Sequence, residues 1–428
     1  MRRTSGSAGS QRSDEARLEE ISGLAAAIQL DIRISDVVPV TAPRPGTLFG
    51  KGKVDDIAHR VHDHELEVVV VDHPLTPVQQ RNLETALDAK VLDRTGLILE
   101  IFGARATTKE GRLQVELAHL DYQRSRLVRS WTHLERQRGG TGFLGGPGER
   151  QIESDRRMLQ TRIDAIKKDL AAVARTRELH RAGRRKVPYP VVALVGYTNA
   201  GKSTLFNRLT QANVFAEDLL FATLDPTMRE ITLPGGRKVI LSDTVGFISE
   251  LPTTLIAAFR ATLEEVLEAD IILHLRDITH DDTDAQKDDV YNVLKELGID
   301  VEQTDVPIIE VWNKADLLSD AHREVHENAV QRQGDPTVMI SAATGDGLPA
   351  LADAIDTVLT REDRTVRIDI AAEHGGEINW VYEHADVLER ADMDDGRVVL
   401  TARMSPDNRG RLDARLTAPS RVIEGRTV

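Results

Sequence analysis

Short apolar runs alternate with helical stretches along much of this chain. Val68–Val71 is a run of four valines, which is typical of a strand buried in a parallel sheet. Residues 77–87 have helical composition, with Thr76 in position to cap the helix and Pro77 in its first turn. Strands separated by helices predict a small parallel sheet, and we place an N-terminal α/β domain at residues 18–104.

A second series of apolar runs begins at residue 191. The strands that it predicts are 191–195, 231–233, 239–242, 271–275, 308–312 and 338–340. Pro234-Gly235-Gly236 leaves room only for a hairpin, whereas the longer connections can hold crossover helices. The pattern therefore predicts a mostly parallel sheet in a domain at 188–362, after a boundary marked by Pro188 and Pro190.

Between these two domains the pattern changes to helical sequence interrupted by glycine. Residues 110–137 contain strong helix formers and no proline, and a similar composition returns from residue 149 to about residue 181. Two helices around a glycine-rich tip at 138–148 predict an antiparallel hairpin over residues 105–186. Its apolar seam is expected from Leu113, Leu117, Leu120, Leu159, Ile163, Ile166 and Leu170.

The two ends of the chain differ from these domains. Residues 1–17 are polar without an apolar centre, so they predict a disordered tail rather than a signal peptide. At the other end, an alternating strand around Ile368, a helix at 377–388 and a strand at 398–402 predict a small α+β domain at 363–428. The predicted fold class is α/β, with a hairpin-bearing N-terminal domain, a mostly parallel central domain and a small C-terminal α+β domain.

Composition excludes several classes of protein. A chain of 428 residues is expected to form two or three domains. Without cysteine it has neither a disulfide scaffold nor a thiolate metal site, and no apolar run is long enough to span a membrane. We expect a cytoplasmic monomer, and we leave open a transient, peripheral association with the membrane.

The charge is unevenly distributed. A net charge of −14 argues against a nucleic-acid partner, but residues 105–186 hold 20 Lys and Arg against 10 Asp and Glu. A basic arm on an acidic body is the footprint of a contact with a polyanion. The alternative is a solvated coiled coil that only spaces the domains.

A phosphate loop follows the predicted strand 191–195 and precedes a helical segment; it is Gly196-Tyr197-Thr198-Asn199-Ala200-Gly201-Lys202-Ser203. In such a loop the backbone N–H groups point at phosphate oxygens, and Cβ atoms at the glycine positions would obstruct them. The positive end of the next helix adds to this attraction. Lys202 supplies a cation to the β and γ phosphates, and Ser203 supplies a hydroxyl ligand for Mg²⁺.

Asp243-Thr244-Val245-Gly246 ends a later strand. At that place Asp243 can hold Mg²⁺, in our interpretation through a water, and Gly246 lets its N–H approach the γ-phosphate. Thr223 is the candidate for a loop hydroxyl that reaches Mg²⁺. Thr227 is the second candidate, and an ordinary polar loop residue is the alternative for Thr223.

Asn313-Lys314-Ala315-Asp316 and Ser341-Ala342 predict selection of the base. Asp316 can accept from guanine N1–H and from the 2-amino group, whereas adenine has neither donor and would leave a desolvated carboxylate without a partner. Asn313 is expected to bond the base and brace the phosphate loop, the Lys314 stem to lie along the ring, and the Ala342 N–H to reach O6. This pattern narrows the nucleotide to GTP or GDP.

The predicted site is large. The expected nucleotide contacts are Gly196, Tyr197, Thr198, Asn199, Ala200, Gly201, Lys202, Ser203, Thr204, Phe221, Ala222, Thr223, Leu224, Asp243, Thr244, Val245, Gly246, Asn313, Lys314, Asp316, Ser341, Ala342 and Ala343. The expected Mg²⁺ ligands are Ser203, Thr223 and Asp243. The catalytic residue is unknown, because Phe247 stands where many GTPases have the Gln that orients the attacking water. Hydrolysis is therefore expected to be slow until another residue or a partner supplies that function.

With these motifs the chain resembles the HflX family of ribosome-associated GTPases over nearly all of residues 31–360. The other segments that carry the resemblance are Gly50-Lys51-Gly52-Lys53, Asp72-His73, Gln80-Arg81-Asn82-Leu83, Asp93-Arg94-Thr95-Gly96-Leu97-Ile98-Leu99, Gln114-Val115-Glu116-Leu117-Ala118, Trp131-Thr132-His133-Leu134-Glu135-Arg136-Gln137 and Gly145-Gly146-Pro147-Gly148-Glu149. The resemblance implies GTP-dependent binding to the large ribosomal subunit, with the hairpin on ribosomal RNA near the peptidyl transferase centre. It also implies the rescue or splitting of stalled ribosomes.

Two other functions stay open on the sequence. One is a GTP-switched signalling protein whose output is a protein partner. The other is an ATP-dependent RNA remodeller that works through the N-terminal domain. The basic hairpin favours ribosomal RNA, because contacts with phosphates need Lys and Arg and weaken steeply with salt.

Overall fold

The computed structural model describes residues 12–137, 147–184, 189–211, 221, 227–249, 263, 265–301, 303–304, 306–332, 336–360, 363–404, 406–416 and 420–423. The predictions made for residues 1–11, for 138–146 of the glycine-rich tip, and for Ala222, Thr223 and Leu224 lie outside these ranges. Contacts within the chain divide it into two compact units, Met1–Thr232 with Lys238–Leu351, and Leu233–Arg237 with Ala352–Val428.

The first elements of the chain are α1 (Asp14–Ala27), α2 (Lys51–Asp63), β1 (Val68–Val71), α3 (Pro77–Leu87), β2 (Lys90–Asp93) and α4 (Arg94–Arg105). The strands β1 and β2 pair in parallel, as predicted. Helix α3 has the predicted bounds, and Thr76 caps it in a reciprocal pair with Gln79. A local apolar core under these elements includes Leu83 and Val91.

Helix α1 begins inside the segment 1–17 that was predicted to be a disordered tail. Ser13 caps the helix by accepting a hydrogen bond from Ala16 N at 3.0 Å. Asp14 and Glu15 then place two carboxylates in the first turn, where the helix dipole favours them. The tail prediction is therefore wrong for residues 12–17, because Arg12 pairs with Glu20 and because the polar start of a capped helix has the composition of a tail.

Two long helices, α5 (Lys109–Gln137) and α6 (Pro147–Arg184), form the predicted hairpin. Ile163 and Ile166 of α6 are completely buried, as the seam requires. The predicted leucines of α5 are only half-buried, because α5 also packs against α4, where Val115 and Ala118 join the core. Neither these helices nor any other helix in the described ranges is long and apolar enough to cross a membrane.

A six-stranded sheet dominates the rest of the first unit. Its elements are β3 (Val191–Gly196), α7 (Lys202–Thr210), β4 (Thr227–Thr232), β5 (Lys238–Asp243), β6 (Ile271–Asp277), α8 (Thr283–Leu297), β7 (Ile308–Asn313), α9 (Asp320–Arg332) and β8 (Thr337–Met339). The strand order is β4-β5-β3-β6-β7-β8, and only β4 runs antiparallel to its neighbour. Parallel strands bring their carboxyl ends to one edge, and the loops after β3, β5, β7 and β8 therefore meet there.

Strand β4 starts four residues earlier than the predicted strand 231–233. It pairs with β5 along its whole length, from Thr227 opposite Asp243 to Thr232 opposite Lys238. Its outward positions are polar, so the apolar pattern revealed only its last residues. This pairing sets Thr227 directly across from the end of β5.

The second unit contains most of α10 (Leu348–Thr360) and a four-stranded antiparallel sheet. The remaining elements are β9 (Arg364–Ile370), α11 (Gly375–His384), β10 (Asp386–Asp392), β11 (Val398–Met404), α12 (Pro406–Arg415) and β12 (Arg421–Ile423), in the sheet order β10-β11-β9-β12. The predicted helix 377–388 is wrong beyond residue 384, because residues 386–392 pair with β11. Their charged composition suits a helix, and only the pairing partner makes them a strand.

Candidate nucleotide-binding site

The phosphate loop connects β3 to α7 with a tight turn at Gly201. This residue adopts a φ of 92° at the N-cap of α7. A Cβ atom there would overlap the side-chain nitrogen of Asn313. The loop can thus close on Asn313 only with glycine at this position.

Lys202 lies inside the loop that it follows. It is 6% exposed, and its Nζ donates to the carbonyl of Gly196 at 3.0 Å and to that of Tyr197 at 2.7 Å. Burial lowers the pKa of Lys202 to about 8, while the nearby Asp243 carboxylate opposes this shift. An ammonium group held this way at the mouth of a helix N-terminus could hold phosphate oxygens.

Ser203 and Asp243 come together as the sequence predicts. The Ser203 hydroxyl donates to a carboxylate oxygen of Asp243 at 2.8 Å. Thr227 is the cross-strand partner of Asp243. A hydroxyl beside a carboxylate is a hard oxygen donor set, and it fits the ligand preference of Mg²⁺.

The segment after β5 is bonded to the phosphate loop through its backbone. Phe247 N donates to Gly196 O at 3.1 Å, and Thr198 N donates to Phe247 O at 2.7 Å. A Cβ atom on Gly246 would lie 2.8 Å from Thr198 Cγ2 and 3.1 Å from Lys202 Nζ, so this close approach requires glycine. The segment that would sense a terminal phosphate is therefore next to the lysine that would bind it.

The Phe247 ring is fully buried in the core of the first unit. The sequence indicates only that this side chain cannot orient a water. In the structure the ring has a different task, since it anchors the segment after β5 by burial. A buried benzyl group contributes about 2–3 kcal/mol to such anchoring.

Asn313 joins three loops at the edge of the sheet. It is 2% exposed, its amide nitrogen donates to Ala200 O at 2.8 Å, and its amide oxygen accepts from Ala342 N at 2.9 Å. The bond from Asn313 to Ala200 O braces the phosphate loop, as expected from the sequence. The N–H of Ala342, which the sequence assigns to the base, is already engaged by Asn313.

The residues around the base position are partly exposed. Asp316 is exposed in a 3₁₀ turn that spans Ala315–Leu317, and Ala343 is exposed as well. Lys314 has a φ of 67° and forms an ion pair of 2.8 Å with Asp277 at the end of β6. This pair fixes the Lys314 stem beside the turn that presents Asp316.

The other predicted contacts take different roles in the fold. The Thr244 hydroxyl donates to Leu194 O at 2.5 Å and is fully buried, so it links β5 to β3. The Ser341 hydroxyl accepts from Thr344 N at 3.1 Å and shapes the loop after β8. Thr204 and Asn199 are exposed.

Sequence reasoning missed that the N-terminal helices contact this site. The Tyr197 hydroxyl donates to Glu20 of α1, and Arg94 of α4 donates to Ser249 O at 3.0 Å. The Phe102 and Phe221 rings meet edge to face, with centroids 4.6 Å apart. Arg94 belongs to a segment that carries the family resemblance. Motif spacing gives no indication that it contacts Ser249, which lies 155 positions later in the sequence.

Comparison with known proteins identifies the family. Family models match residues 15–103 (GTP-binding GTPase N-terminal), 105–184 (GTP-binding GTPase Middle Region), 191–314 (50S ribosome-binding GTPase) and 325–424 (HflX C-terminal domain). GTPase HflX from Magnetococcus marinus is 47% identical over 96% of this chain and 93% of its own length. The chain belongs to the HflX family. Another HflX relative, from Escherichia coli, is 44% identical over 85% of this chain and 84% of its own length.

A solved structure similar to this HflX chain is a GTP-binding protein from the archaeon Sulfolobus solfataricus in complex with GDP. It is 25% identical and covers 80% of this chain and 95% of its own, with a TM-score of 0.44. HflX membership and the mostly parallel six-stranded sheet agree with the predicted fold class.

Proposed function

We propose that this HflX protein is a Mg²⁺-dependent GTPase that binds the large ribosomal subunit in its GTP form and splits or rescues stalled ribosomes. The chain is a GTP hydrolase that binds guanine nucleotides, in keeping with its relatives named GTPase HflX. The observation that carries the proposal is the Asn313 side chain, which ties the phosphate loop to the base loop. Such a tie lets one ligand engage both loops, as a nucleoside triphosphate does.

Asp316 is the proposed base-selecting residue. Its exposed carboxylate would accept the N1–H and 2-amino protons of guanine, a pattern that ATP cannot offer. The Lys314 stem, held by Asp277, would lie along the ring. Because Ala342 N–H donates to Asn313, guanine O6 would share that N–H or take the one of Ala343.

The triphosphate would lie along the phosphate loop. Lys202 would exchange its bonds to two loop carbonyls for bonds to the β and γ phosphates, and Gly246 N–H would meet the γ-phosphate. Ser203 and Asp243, with Thr223 or Thr227, would hold Mg²⁺. When bound, this cation neutralises charge that develops on the phosphates during transfer.

Unaided hydrolysis is expected to be slow. The ring of Phe247 is buried and carries no group that could orient a water. The reaction therefore needs a polar group from another segment or from the partner. We therefore expect the ribosome to stimulate hydrolysis.

The helical hairpin is the proposed contact with ribosomal RNA. It carries 20 Lys and Arg against 10 Asp and Glu over residues 105–186, and Lys167 and Lys168 are exposed side by side on α6. The match of residues 191–314 to the model described as a 50S ribosome-binding GTPase supports the same partner. We expect the protein to act as a monomer in the cytoplasm.

Co-sedimentation with purified large subunits tests the proposal. The wild type should pellet with subunits when loaded with a non-hydrolysable GTP analogue and should stay in solution with GDP. The double variant Lys167→Glu/Lys168→Glu should bind about tenfold more weakly and show a shallower salt dependence between about 50 and 200 mM. The rate of GTP hydrolysis by the wild type, measured in parallel, should increase when large subunits are added.

A matched control uses Lys51→Glu/Arg81→Glu, which changes the charge equally at exposed positions outside the hairpin. Equal loss in both double variants would contradict a contact through the hairpin. Binding that ignores the nucleotide would contradict the GTP switch and favour a constitutive partner. Binding of ATP at a site that survives loss of Asp316 would favour the RNA remodeller.

A further inference from the structure

Glu20 of α1, Arg94 of α4 and the phosphate-loop residue Tyr197 form a buried cluster around Ser249, which is itself half-buried. We call Glu20, Arg94 and Tyr197 the Ser249 clamp, because all three bond Ser249. Their exposures are 8% for the Glu20 side chain and 4% each for Arg94 and Tyr197. The clamp thus joins α1, α4 and the phosphate loop at one residue of the segment after β5.

Every polar group of Ser249 is engaged by the clamp. Its backbone N–H donates to the Tyr197 hydroxyl at 2.6 Å, and its own hydroxyl donates to Glu20 at 2.9 Å. Arg94 donates to the carbonyl of Ser249 at 3.0 Å and to its hydroxyl oxygen at 2.7 Å. A residue held from three directions has little freedom to move alone.

The charges of the clamp are balanced inside the protein. Arg94 lies between Glu20 at 3.0 Å and Asp72 at 2.8 Å. Arg12 adds a second cation on the other side, 3.0 Å from Glu20 and 2.8 Å from the Tyr197 hydroxyl. Breaking a buried pair leaves a charge without compensation, so this arrangement strongly resists rearrangement.

The hold on Ser249 extends to the phosphate-sensing position. Only two residues separate Ser249 from Gly246, and Phe247 between them is bonded to both sides of the phosphate loop. Gly246 lies beside the Lys202 ammonium, so the two groups proposed to share a terminal phosphate are adjacent in advance. Groups ordered in advance bind without a further loss of conformational entropy.

We propose that Glu20 and Arg94 are positioning residues that pre-order residues 246–249 for the terminal phosphate of GTP. This inference rests on the proposed nucleotide site, but it goes beyond it by assigning the discrimination between GTP and GDP to residues of the N-terminal domain. GDP lacks the phosphate that Gly246 would meet. Loss of the clamp therefore weakens GTP binding far more than GDP binding.

The test compares affinities of the full-length chain for a non-hydrolysable GTP analogue and for GDP, by calorimetry in the presence of Mg²⁺. Glu20→Gln keeps the size of the side chain but removes the charge that Arg94 and Ser249 use. It should weaken the analogue about tenfold and GDP less than twofold, a difference that hydrogen bonds to a charged group can supply. Ser249→Ala should shift the ratio of the two affinities in the same direction by a smaller factor.

Arg60→Gln is the matched control. Arg60 pairs with Asp36 in the same domain, rather than with Ser249 or a residue of the clamp, so both affinities should stay at wild-type values. If Glu20→Gln does not fold, as a thermal melt would reveal, Ser249→Ala decides the question. Equal factors for the analogue and GDP, or an unchanged ratio in the folded variants, would overturn the inference. A wild type that binds neither nucleotide would instead overturn the proposed site.

Discussion

The six-stranded sheet of the first unit and the four-stranded sheet of the second use their polar residues differently. In the parallel part of the first sheet, Asp243, Asn313 and Ser341 follow or end strands and are buried at one edge. In the antiparallel unit, Asp369 of β9 pairs with Arg397, which directly precedes the neighbouring strand β11, and Ser420 accepts from Ala371 N. The first arrangement brings polar side chains together at one edge, where they can bind a ligand. In the second, the polar side chains bond neighbouring segments of the same unit.

This difference follows from strand direction. Parallel strands end at the same edge, and each crossover returns a new loop to it. Neighbouring antiparallel strands have their carboxyl ends at opposite edges, so the loops that follow successive strands do not meet at one edge. Substitutions at the carboxyl-end edge of the parallel strands should therefore affect ligand binding, and equivalent substitutions in the antiparallel sheet should not.

The largest effect is expected from Asp316→Asn. The amide can accept only one of the two guanine protons and presents its own donor to the other, so GTP affinity should fall about a hundredfold. Xanthosine triphosphate should then bind, because xanthine replaces the 2-amino group with an oxygen. Competition binding with a fluorescent guanine nucleotide measures both changes.

Asp394→Asn is the counterpart in the antiparallel unit, at an exposed turn position between β10 and β11. It should leave both nucleotide affinities at wild-type values. A variant at Asp316 that kept its preference for guanine would contradict the assigned role of this carboxylate.

A smaller difference between the two units is expected when a glycine in each is replaced by alanine. Gly201→Ala places a Cβ atom against Asn313 at a φ of 92°, which should cost about 1–3 kcal/mol of unfolding free energy and break the tie between the loops. Gly376→Ala in α11 meets open space and should be neutral or slightly stabilising. Urea unfolding and GTP binding of both variants check the difference.

If Gly201→Ala bound GTP like the wild type, the bracing function of Asn313 would be wrong. If Gly376→Ala were as destabilising as Gly201→Ala, the close approach at Gly201 would not be the cause.

The first sheet could be predicted from sequence in far more detail than the second. Continuous apolar runs such as 191–195 and 271–275 mark buried parallel strands, and the motifs mark their ends. Residues 386–392 carry the charges of a helix, and they form a strand only because β11 lies beside them. The conformation of such a segment depends on a strand that is distant in sequence, and local composition carries no information about that strand.

The same limit applies to the candidate site. Motif spacing predicted that Ser203 would meet Asp243 and that Asn313 would brace the phosphate loop, because these pairs are fixed by strand order. The contacts of Glu20 and Arg94 with Ser249 join helices α1 and α4 to the segment after β5, far away in sequence. Neither periodicity nor a motif predicts such a contact from the sequence.

The smallest expected effect concerns the pH dependence of stability, and it depends on His274 in β6. This side chain is 1% exposed, and burial is the main cause that lowers its pKa to about 3. Arg276 and Lys287 lower the pKa further, while Glu310 opposes them. The folded chain therefore keeps His274 neutral at pH values where an unfolded histidine is protonated.

Between the unfolded pKa of 6.5 and about 3, the unfolded chain binds one more proton at this residue than the folded chain. The stability contributed by neutral His274 is thus complete above pH 6.5 and is lost as the pH falls. His274→Gln should remove about 1 kcal/mol of the wild-type loss between pH 6.5 and about 5.5, measured by urea unfolding at each pH. His62→Gln, at a side chain that is 93% exposed, should leave the slope unchanged. Parallel slopes for the wild type and His274→Gln would mean that the parallel sheet does not hold His274 as a neutral imidazole.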